Sequence, residues 1–253
     1  MNKIILISSI SLITFFLGQE SIRYIGIDYI TEEKNLPNSQ KIYEFFDRSF
    51  KYRKLVKEIN KDVNDKHLKV LNTSNWIYKN IKKIKEGDIV IDNHPWTIVE
   101  RAIGQDDQHA DLLSVLLVYQ NIDSFFNMKI NSIWHPITFF SIEEKKWSIL
   151  DQYYGIYFLD NNLKFSNLDQ DKEKNFIMHH LTMGKVNNNN FKDIFINKKF
   201  DNFEEVKSYY FNLLNNLPNN KKIEETHIYE RGGRSYVQTP LHRFLFELRK
   251  LKN

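Results

Sequence analysis

The segment from Ala110 to Gln120 constrains the fold most, because it would be apolar on almost every side of a helix. A helix without a polar face is expected in the centre of a domain, packed on all sides. A polar cluster from Gln105 to Asp111 overlaps the start of this segment. The sequence therefore predicts a buried helix whose N-terminus carries acidic, amide and imidazole side chains at one place.

The hydrophobic period changes after Asn121. Before it, "SQKIYEFFDRSFKYRKLVKEIN" and "DKHLKVLNTSNWIYKNIKKI" have helical spacing, and Ser39 is the expected N-cap of the first helix. After it come short runs rich in aromatic and β-branched residues, "SFFNMKINS", "HPITFFSI", "KWSILDQ" and "GIYFL", with "EEKK" as a polar turn. Helices followed by an antiparallel β-meander predict an α+β fold.

The composition of the chain predicts a linker, a domain and a C-terminal extension. Residues 19–39 are irregular and end in "NLPNS", which predicts a linker before a domain at 40–160. Residues 161–253 are rich in Asn and Lys and predict a helical C-terminal extension packed on the domain or continuing it. Its helical segments are expected at "DNFEEVKSYYFNLLNNL" and "TPLHRFLFELRKLK".

The N-terminus predicts export. Lys3 precedes an unbroken apolar run at residues 4–17, which is as long as the core of a signal peptide and shorter than the roughly 20 residues of a membrane span. Residues 1–18 are therefore expected to be a signal peptide or an N-terminal membrane anchor. The protein is expected in the periplasm or cell envelope, with residues 4–17 holding it in the inner membrane if they are not cleaved.

Charge and cysteine content exclude several classes of function. The net charge is only +4, with basic and acidic residues interspersed, so nucleic-acid binding is not expected. The chain contains no cysteine, which excludes disulfides, thiolate metal sites and thiol nucleophiles. No cofactor is expected.

Three stretches together resemble the transglutaminase-like superfamily. "GQDDQHADLLSVLL" is similar to its nucleophile motif at the start of a buried helix, "HPITFF" to its histidine strand, and "KWSILDQYYG" to its Trp, Asp and Gly strand. The resemblance covers residues 65–160 and implies a papain-like core. It implies that Asp106, His135 and Asp151 occupy the three catalytic positions, in the order and with the separations of the family.

The chain departs from that family at its most important position, because the catalytic cysteine falls on Asp106. A carboxylate is far less nucleophilic than a thiolate towards an amide, so acyl transfer of the thiol type is not expected. The helix N-terminus favours a negative charge at Asp106. We expect Asp106 and Asp151 to flank His135 and to hold it as an imidazolium between two carboxylates.

Four further residues near these positions are predicted to contact a ligand: Gln105, Gln108, His109 and Trp134. Packing inside the fold is the competing interpretation for His109 and Trp134.

Other interpretations of Asp106 stay open. It could act as a general base on water with His135 as the acid. Metal binding would use Asp106, His109 and His135, or Asp107 and Asp111, although the preferred interpretation contains no metal. The third interpretation is a helix cap in a decayed pocket.

These observations favour a protein that binds a peptide or glycan-like ligand in the former active-site cleft, without thiol chemistry. The first alternative is a hydrolase that uses Asp106, His135 and Asp151. The second is a scaffold in an envelope or surface-polymer assembly system, where an amphipathic helix from Leu241 to Leu251 would contact an envelope protein partner.

Overall fold

The computed structural model describes residues 18–27, 30–85, 87–91, 94–130, 133–169, 176–196, 198, 200–227 and 239–244. The predicted signal peptide or anchor at residues 4–17 lies outside these ranges, as do residues 245–251 of the predicted C-terminal helix. Among the helices within these ranges, none has the length and apolar character needed to cross a bilayer.

The first half of the chain contains all of the long helices but one, with short strands between them. The second half forms a sheet and the helices that cover it. In chain order the elements are β1 (Glu20–Ile27), β2 (Ile30–Pro37), α1 (Asn38–Ile59), α2 (Lys66–Asn80), β3 (Lys82–Lys83), α3 (Pro95–Arg101), β4 (Ile103–Gly104), α4 (Asp106–Val118), β5 (Asp123–Ile130), β6 (Ile133–Glu143), β7 (Lys146–Asp151), β8 (Ile156–Leu159), β9 (Ile177–His180), β10 (Gly184–Lys185), α5 (Phe191–Ile194), α6 (Phe203–Asn215) and α7 (Asn220–His227).

The largest sheet is a six-stranded antiparallel meander in the order β10-β9-β8-β7-β6-β5. The turn between β6 and β7 lies at the predicted polar tetrapeptide, where Lys145 has a positive φ of 61°. The α+β class and the predicted meander are confirmed by this arrangement. β9 and β10, which follow residue 160, extend the same sheet.

The central helix α4 is buried along nearly its whole length, as its composition predicts. Its leucines have no accessible surface, and it packs against β5, β6, α2 and α3. Full burial of one leucine contributes about 2 kcal/mol, so this helix is a large part of the core.

The sheet separates two hydrophobic cores because successive residues of a strand point to opposite faces. Phe140 and Leu150 pack on the side of α4, together with α1 and α2. Phe139 and Ile149 pack on the other side, where α5 and α6 cover the sheet. His135 of the predicted site lies near the start of β6.

Two local predictions near the N-terminus are wrong. The stretch predicted as a linker, residues 19–39, contains the antiparallel hairpin of β1 and β2, because pairing of the two backbones compensates for the weak strand pattern of "ITEEKNLP". Helix α1 begins at Asn38 after Pro37, so Ser39 is not the N-cap. The apolar side chains Ile42, Phe46 and Phe50 of α1 are exposed, and Tyr52 and Val56 are buried in their place.

Candidate functional site

A buried close pair, His135 and Asp151, forms the centre of the candidate site. His135 lies on β6 and Asp151 ends β7, and antiparallel pairing of these strands brings the two side chains together. His135 Nε2 is 2.8 Å from Asp151 Oδ2, and the two residues are only 4% and 1% exposed. Asp151 also accepts hydrogen bonds from the Tyr210 hydroxyl at 2.7 Å and the Tyr154 backbone N–H at 3.1 Å.

These contacts keep the Asp151 carboxyl ionised despite its burial. Burial alone would raise the pKa of Asp151, since the charged form loses its hydration. The charge and hydrogen bond of His135, with the hydrogen bonds from Tyr210 and Tyr154, outweigh burial and lower the pKa of Asp151. The carboxylate is therefore a fixed negative charge inside the fold.

The other ring nitrogen of His135 contacts Tyr209. The Tyr209 hydroxyl lies 2.9 Å from His135 Nδ1 and accepts a hydrogen bond from Lys198 Nζ at 2.6 Å. Burial, and then the charge of Asp151, raise the pKa of Tyr209. The phenol thus stays protonated, and it connects Lys198 to the buried pair without becoming a nucleophile.

Both tyrosines that reach the pair come from α6. Asn202 caps this helix by accepting a hydrogen bond from the Glu205 backbone N–H at 3.0 Å. Consecutive side chains of a helix point about 100° apart. Tyr209 and Tyr210 therefore straddle the pair, one contacting the imidazole and the other the carboxylate.

Asp106 lies at the first position of α4, half-buried, as the resemblance implies. Its Oδ2 accepts a hydrogen bond from Trp134 Nε1 at 3.1 Å, and its Oδ1 accepts one from the Asp107 backbone N–H at 2.8 Å. Trp134 is 49% exposed, so the packed interpretation of this residue is wrong. The pair formed by Asp106 and Trp134 is open to a ligand.

The expectation that Asp106 flanks His135 is wrong. Trp134 and His135 are adjacent on β6, but their side chains bond to different helices, Trp134 to Asp106 on α4 and His135 to Tyr209 on α6. Nδ1, the ring nitrogen that does not face Asp151, lies against Tyr209 and not against Asp106. Asp106 still lies close enough for its charge to act on both sides of this region. Burial lowers the pKa of Lys198, and the charges of Asp151 and then Asp106 oppose that shift. Burial raises the pKa of Tyr153, and the charge of Asp106 adds to it.

Two of the predicted ligand-binding residues are structural. Gln108 is 1% exposed, and its Oε1 accepts hydrogen bonds from Arg101 Nη2 at 2.8 Å and from the Gln105 backbone N–H at 3.0 Å. Its side chain therefore caps α4. His109 is also 1% exposed, and its ring meets that of Tyr153 edge-on at 5.4 Å. The prediction that Gln108 and His109 contact a ligand is wrong, because a ligand does not reach a fully buried side chain.

Burial also determines the charge of His109. Desolvation, followed by the nearby charge of Lys83, lowers the pKa of His109 from 6.5 to about 4. Gln105 keeps some exposure, and its Nε2 donates to the Asp88 carbonyl at 3.2 Å. Of the four predicted ligand residues, Trp134 and Gln105 remain accessible.

A lysine-tyrosine cluster, formed by Lys83, Lys198, Tyr153 and Tyr154, lies beside the buried pair. Lys83 Nζ is 4.7 Å from the centroid of the Tyr153 ring and 5.3 Å from that of Tyr154. Lys198 Nζ is 5.4 Å from the Tyr154 centroid, and the Tyr154 ring lies parallel to that of His135 at 6.4 Å. Both lysines and both tyrosines are half-buried.

The close packing of this region requires Gly155, which follows the cluster. Its φ is 69°, a left-handed value that glycine adopts without strain. A Cβ at this position would lie 3.0 Å from the Tyr78 ring and 3.2 Å from His180 Nε2. The glycine of the predicted strand motif thus permits the turn from β7 to β8.

The metal interpretation lacks a ligand cluster. Within the described ranges, the structure contains no group of three or more His, Asp or Glu side chains that could hold a metal ion. His109 and His135 are separated by their packing, the first against Tyr153 and the second against Tyr209.

A separate cavity of about 710 Å³ opens on another part of the sheet. His67 stacks on Phe165 in its wall at 4.0 Å between ring centroids, beside side chains of both charges, Asp65, Lys146 and Lys164. None of the seven predicted site residues lines this cavity.

The residues that sequence reasoning missed are Tyr209, Tyr210, Lys198 and Lys83. The two adjacent tyrosine pairs, in "DQYYG" and "KSYYF", were the signal available in the sequence. Nothing in the sequence assigns the second pair to His135, because 74 residues separate Tyr209 from its partner.

No protein-family model, no curated protein and no solved structure matches the chain, so the resemblance to the transglutaminase-like superfamily stays a prediction.

Proposed function

We propose that this protein binds a peptide or glycan-like ligand in a cleft between Asp106, Trp134 and the lysine-tyrosine cluster, and that it does so without acyl transfer. The proposal includes a transglutaminase-like core whose catalytic cysteine position holds Asp106. It also includes export to the cell envelope, with residues 4–17 as the signal peptide or anchor.

One observation carries the proposal: His135 is only 4% exposed, and its two ring nitrogens face Asp151 Oδ2 at 2.8 Å and the Tyr209 hydroxyl at 2.9 Å. A general acid or base has to reach the proton that it transfers. A buried imidazole with both nitrogens occupied lacks that access. The chain offers no thiol, and the protonated Tyr209 is a poor substitute for one.

The accessible groups of the site suit recognition. Asp106 presents a carboxylate at a helix N-terminus, and Trp134 presents a half-exposed indole beside it. An aromatic surface next to a few polar groups is the usual composition of a small-ligand site. The hydrolase alternative requires Asp106 and His135 to act on one atom, whereas Asp106 bonds to Trp134 and His135 faces Tyr209 and Asp151.

The test is a titration with an N-acetylated alanine tripeptide and with a trisaccharide of N-acetylglucosamine, followed by tryptophan fluorescence and by product analysis. We expect a saturable fluorescence change with at least one probe, no cleavage, and weaker binding in Asp106→Ala. Cleavage that is lost in Asp106→Ala would replace the proposal with the hydrolase. A folded protein that responds to neither probe would replace it with the scaffold.

A further inference from the structure

We propose that helix α1 lies along the surface of an anionic lipid bilayer, with its exposed apolar face immersed between the headgroups. The apolar face consists of Ile42, Tyr43, Phe46 and Phe50. This inference rests on the membrane-anchor form of the proposed function, and it adds a second contact between the protein and the bilayer.

The apolar face of α1 is exposed to water. Its four side chains are 44% to 71% exposed, whereas Tyr52 and Val56 on the neighbouring arc of the same helix are buried. An aromatic side chain has about 150–250 Å² of surface to bury, so the face leaves on the order of 400 Å² of apolar surface in water. A contiguous patch of this size marks contact with another molecule or with a membrane.

The same arc of α1 continues as a basic surface towards the C-terminus of the helix. Successive residues of a helix turn by about 100°, which puts Arg53 and Lys57 on the arc of Phe46 and Phe50. Both cations are exposed, and neither forms a salt bridge with another described residue. Aromatic side chains beside Lys and Arg are typical of helices that lie in the interface of an anionic bilayer.

The acidic residues of α1 do not oppose this contact. The helix has six basic and three acidic residues, a net charge of +3. Each acid lies 2.8 to 3.9 Å from a base one turn away on the same helix: Glu44 from Arg48, Asp47 from Lys51, and Glu58 from Lys54. The excess charge is therefore positive, and it attracts anionic headgroups.

The position of Gln19 connects the apolar face with the proposed anchor. The Asn38 backbone N–H donates to the Gln19 carbonyl at 2.8 Å, so Gln19 is fixed at the first residue of α1. Two residues of chain span at most about 7 Å, and this is the longest distance from residue 17 to Gln19. An anchor at residues 4–17 therefore keeps the start of α1 at the bilayer surface, directly before the apolar face.

The orientation of α1 gives the sharpest test. Phe50 is 12 residues from Asn38, which is about 18 Å along a helix. The anchor alone would leave Phe50 in water if α1 stood upright on the bilayer. Only a helix that lies along the surface immerses Phe46 and Phe50 together.

The experiment uses a nitroxide label at residue 50 of the full chain. Because the chain contains no cysteine, Phe50→Cys carries the label at one position only. The protein is mixed with phosphatidylcholine vesicles, with and without phosphatidylserine. Immersion is measured by access of the label to oxygen, which concentrates in lipid, and to a water-soluble nickel complex. Ile196→Cys is the matched control, because Ile196 is an 81% exposed apolar residue that follows α5 on the other side of the sheet.

With phosphatidylserine, we expect the label at residue 50 to be accessible to oxygen and shielded from nickel, and the label at residue 196 to stay in water. Phe46→Ser should shift the equilibrium between the immersed and the free face roughly 10-fold towards the free face, because it removes an apolar ring from the contact. Phe46→Leu should retain most of the immersion. Arg53→Gln and Lys57→Gln should each shift the same equilibrium roughly fivefold, and only with the anionic vesicles.

Three results would overturn the inference. If the protein floats with the vesicles while the label at residue 50 stays in water, the inference fails and the proposed anchor stands. A label spectrum that broadens with protein concentration in the absence of lipid would assign the apolar face to a second copy of the chain. A protein that floats with neither vesicle would overturn both the inference and the anchor, and the titration with peptide and sugar would still test the ligand site independently.

Discussion

The two ends of the candidate site differ in how completely their charges are matched. At the inner end, Asp151 is buried and accepts hydrogen bonds from Tyr210 and the Tyr154 backbone beside its contact with His135. At the outer end, Asp106 is half-buried and, among the described residues, bonds to one other side chain, that of Trp134. A buried charge is tolerated only when it is fully paired, whereas a half-exposed charge can keep capacity for a ligand. We infer that the inner end maintains the fold and that the outer end meets the ligand.

The largest expected effect separates the two carboxylates directly. Asp151→Asn should lower the free energy of unfolding by about 3–5 kcal/mol, because it breaks a buried ion pair. Asp106→Asn should lower it by less than about 1 kcal/mol, the usual value of an acidic group at a helix N-terminus. Urea unfolding of both variants measures the difference.

The pH dependence of Asp151 provides a control for this comparison. Its folded pKa lies below the ordinary value of 3.8, so its stabilising contribution is present above that pH and is lost as the pH falls through the folded pKa. The free energy of unfolding of Asp151→Asn should lack this loss at acidic pH. Equal losses in Asp151→Asn and Asp106→Asn would contradict the division of the site into two ends.

The second effect concerns His109, which sequence reasoning placed at the ligand and the structure places in the core. Its pKa falls from 6.5 to about 4 in the folded protein, so the unfolded chain takes up the proton first as the pH decreases. Protonation of His109 should therefore lower the free energy of unfolding by about 3 kcal/mol between pH 7 and pH 4. Urea unfolding at both pH values measures it.

His109→Asn is the variant that sharpens this prediction. The free energy of unfolding of this variant should fall less steeply over the same pH interval. The loss that remains should include the protonation of His180, whose pKa is also lowered to about 4. An unchanged slope in His109→Asn would mean that His109 titrates normally and lies in contact with solvent.

The third effect compares the two tyrosines of α6. Tyr210→Phe removes a hydrogen bond to a buried carboxylate, which is worth about 2 kcal/mol. Tyr209→Phe removes the link between Lys198 and His135 at a half-buried position, and it should cost about 1 kcal/mol. In thermal unfolding, Tyr210→Phe should have the lower melting temperature of the two variants. The reverse order would mean that the contact of Tyr209 stabilises the fold more than that of Tyr210.

The smallest effect tests the outer end. Trp134→Phe should change the free energy of unfolding by no more than about 0.5 kcal/mol, because a half-exposed side chain contributes little. It should abolish the change in tryptophan fluorescence on addition of ligand. It should also abolish the difference in fluorescence between the unmodified protein and Asp106→Asn. A ligand response that persists in Trp134→Phe would place the binding site elsewhere, with the cavity beside His67 and Phe165 as the next candidate.

The order of elements could be predicted from the sequence because hydrophobic period is a local property. The buried helix α4, the strands β5 to β8 and the polar turn before Lys145 follow from patterns a few residues long. The hairpin at β1 and β2 could not, since its strands are stabilised by pairing with each other and have little pattern of their own.

The site was predictable only where its residues lie near each other in the chain. His135 and Asp151 lie on neighbouring strands of one meander, so their contact follows from the predicted topology. The roles of Gln108 and His109 depended on which side of α4 is buried, and composition does not reveal this for a helix that is apolar all round. The contact of Tyr209 depended on how α6 packs on the sheet.

The central claim is that His135 is held between Asp151 and Tyr209 and not between Asp151 and Asp106. The most direct test is the ¹⁵N NMR spectrum of the His135 ring in the unmodified protein, in Tyr209→Phe and in Asp106→Asn. The account predicts that Tyr209→Phe moves the Nδ1 resonance and that Asp106→Asn leaves both ring resonances nearly unchanged. A large shift in Asp106→Asn, with none in Tyr209→Phe, would contradict it.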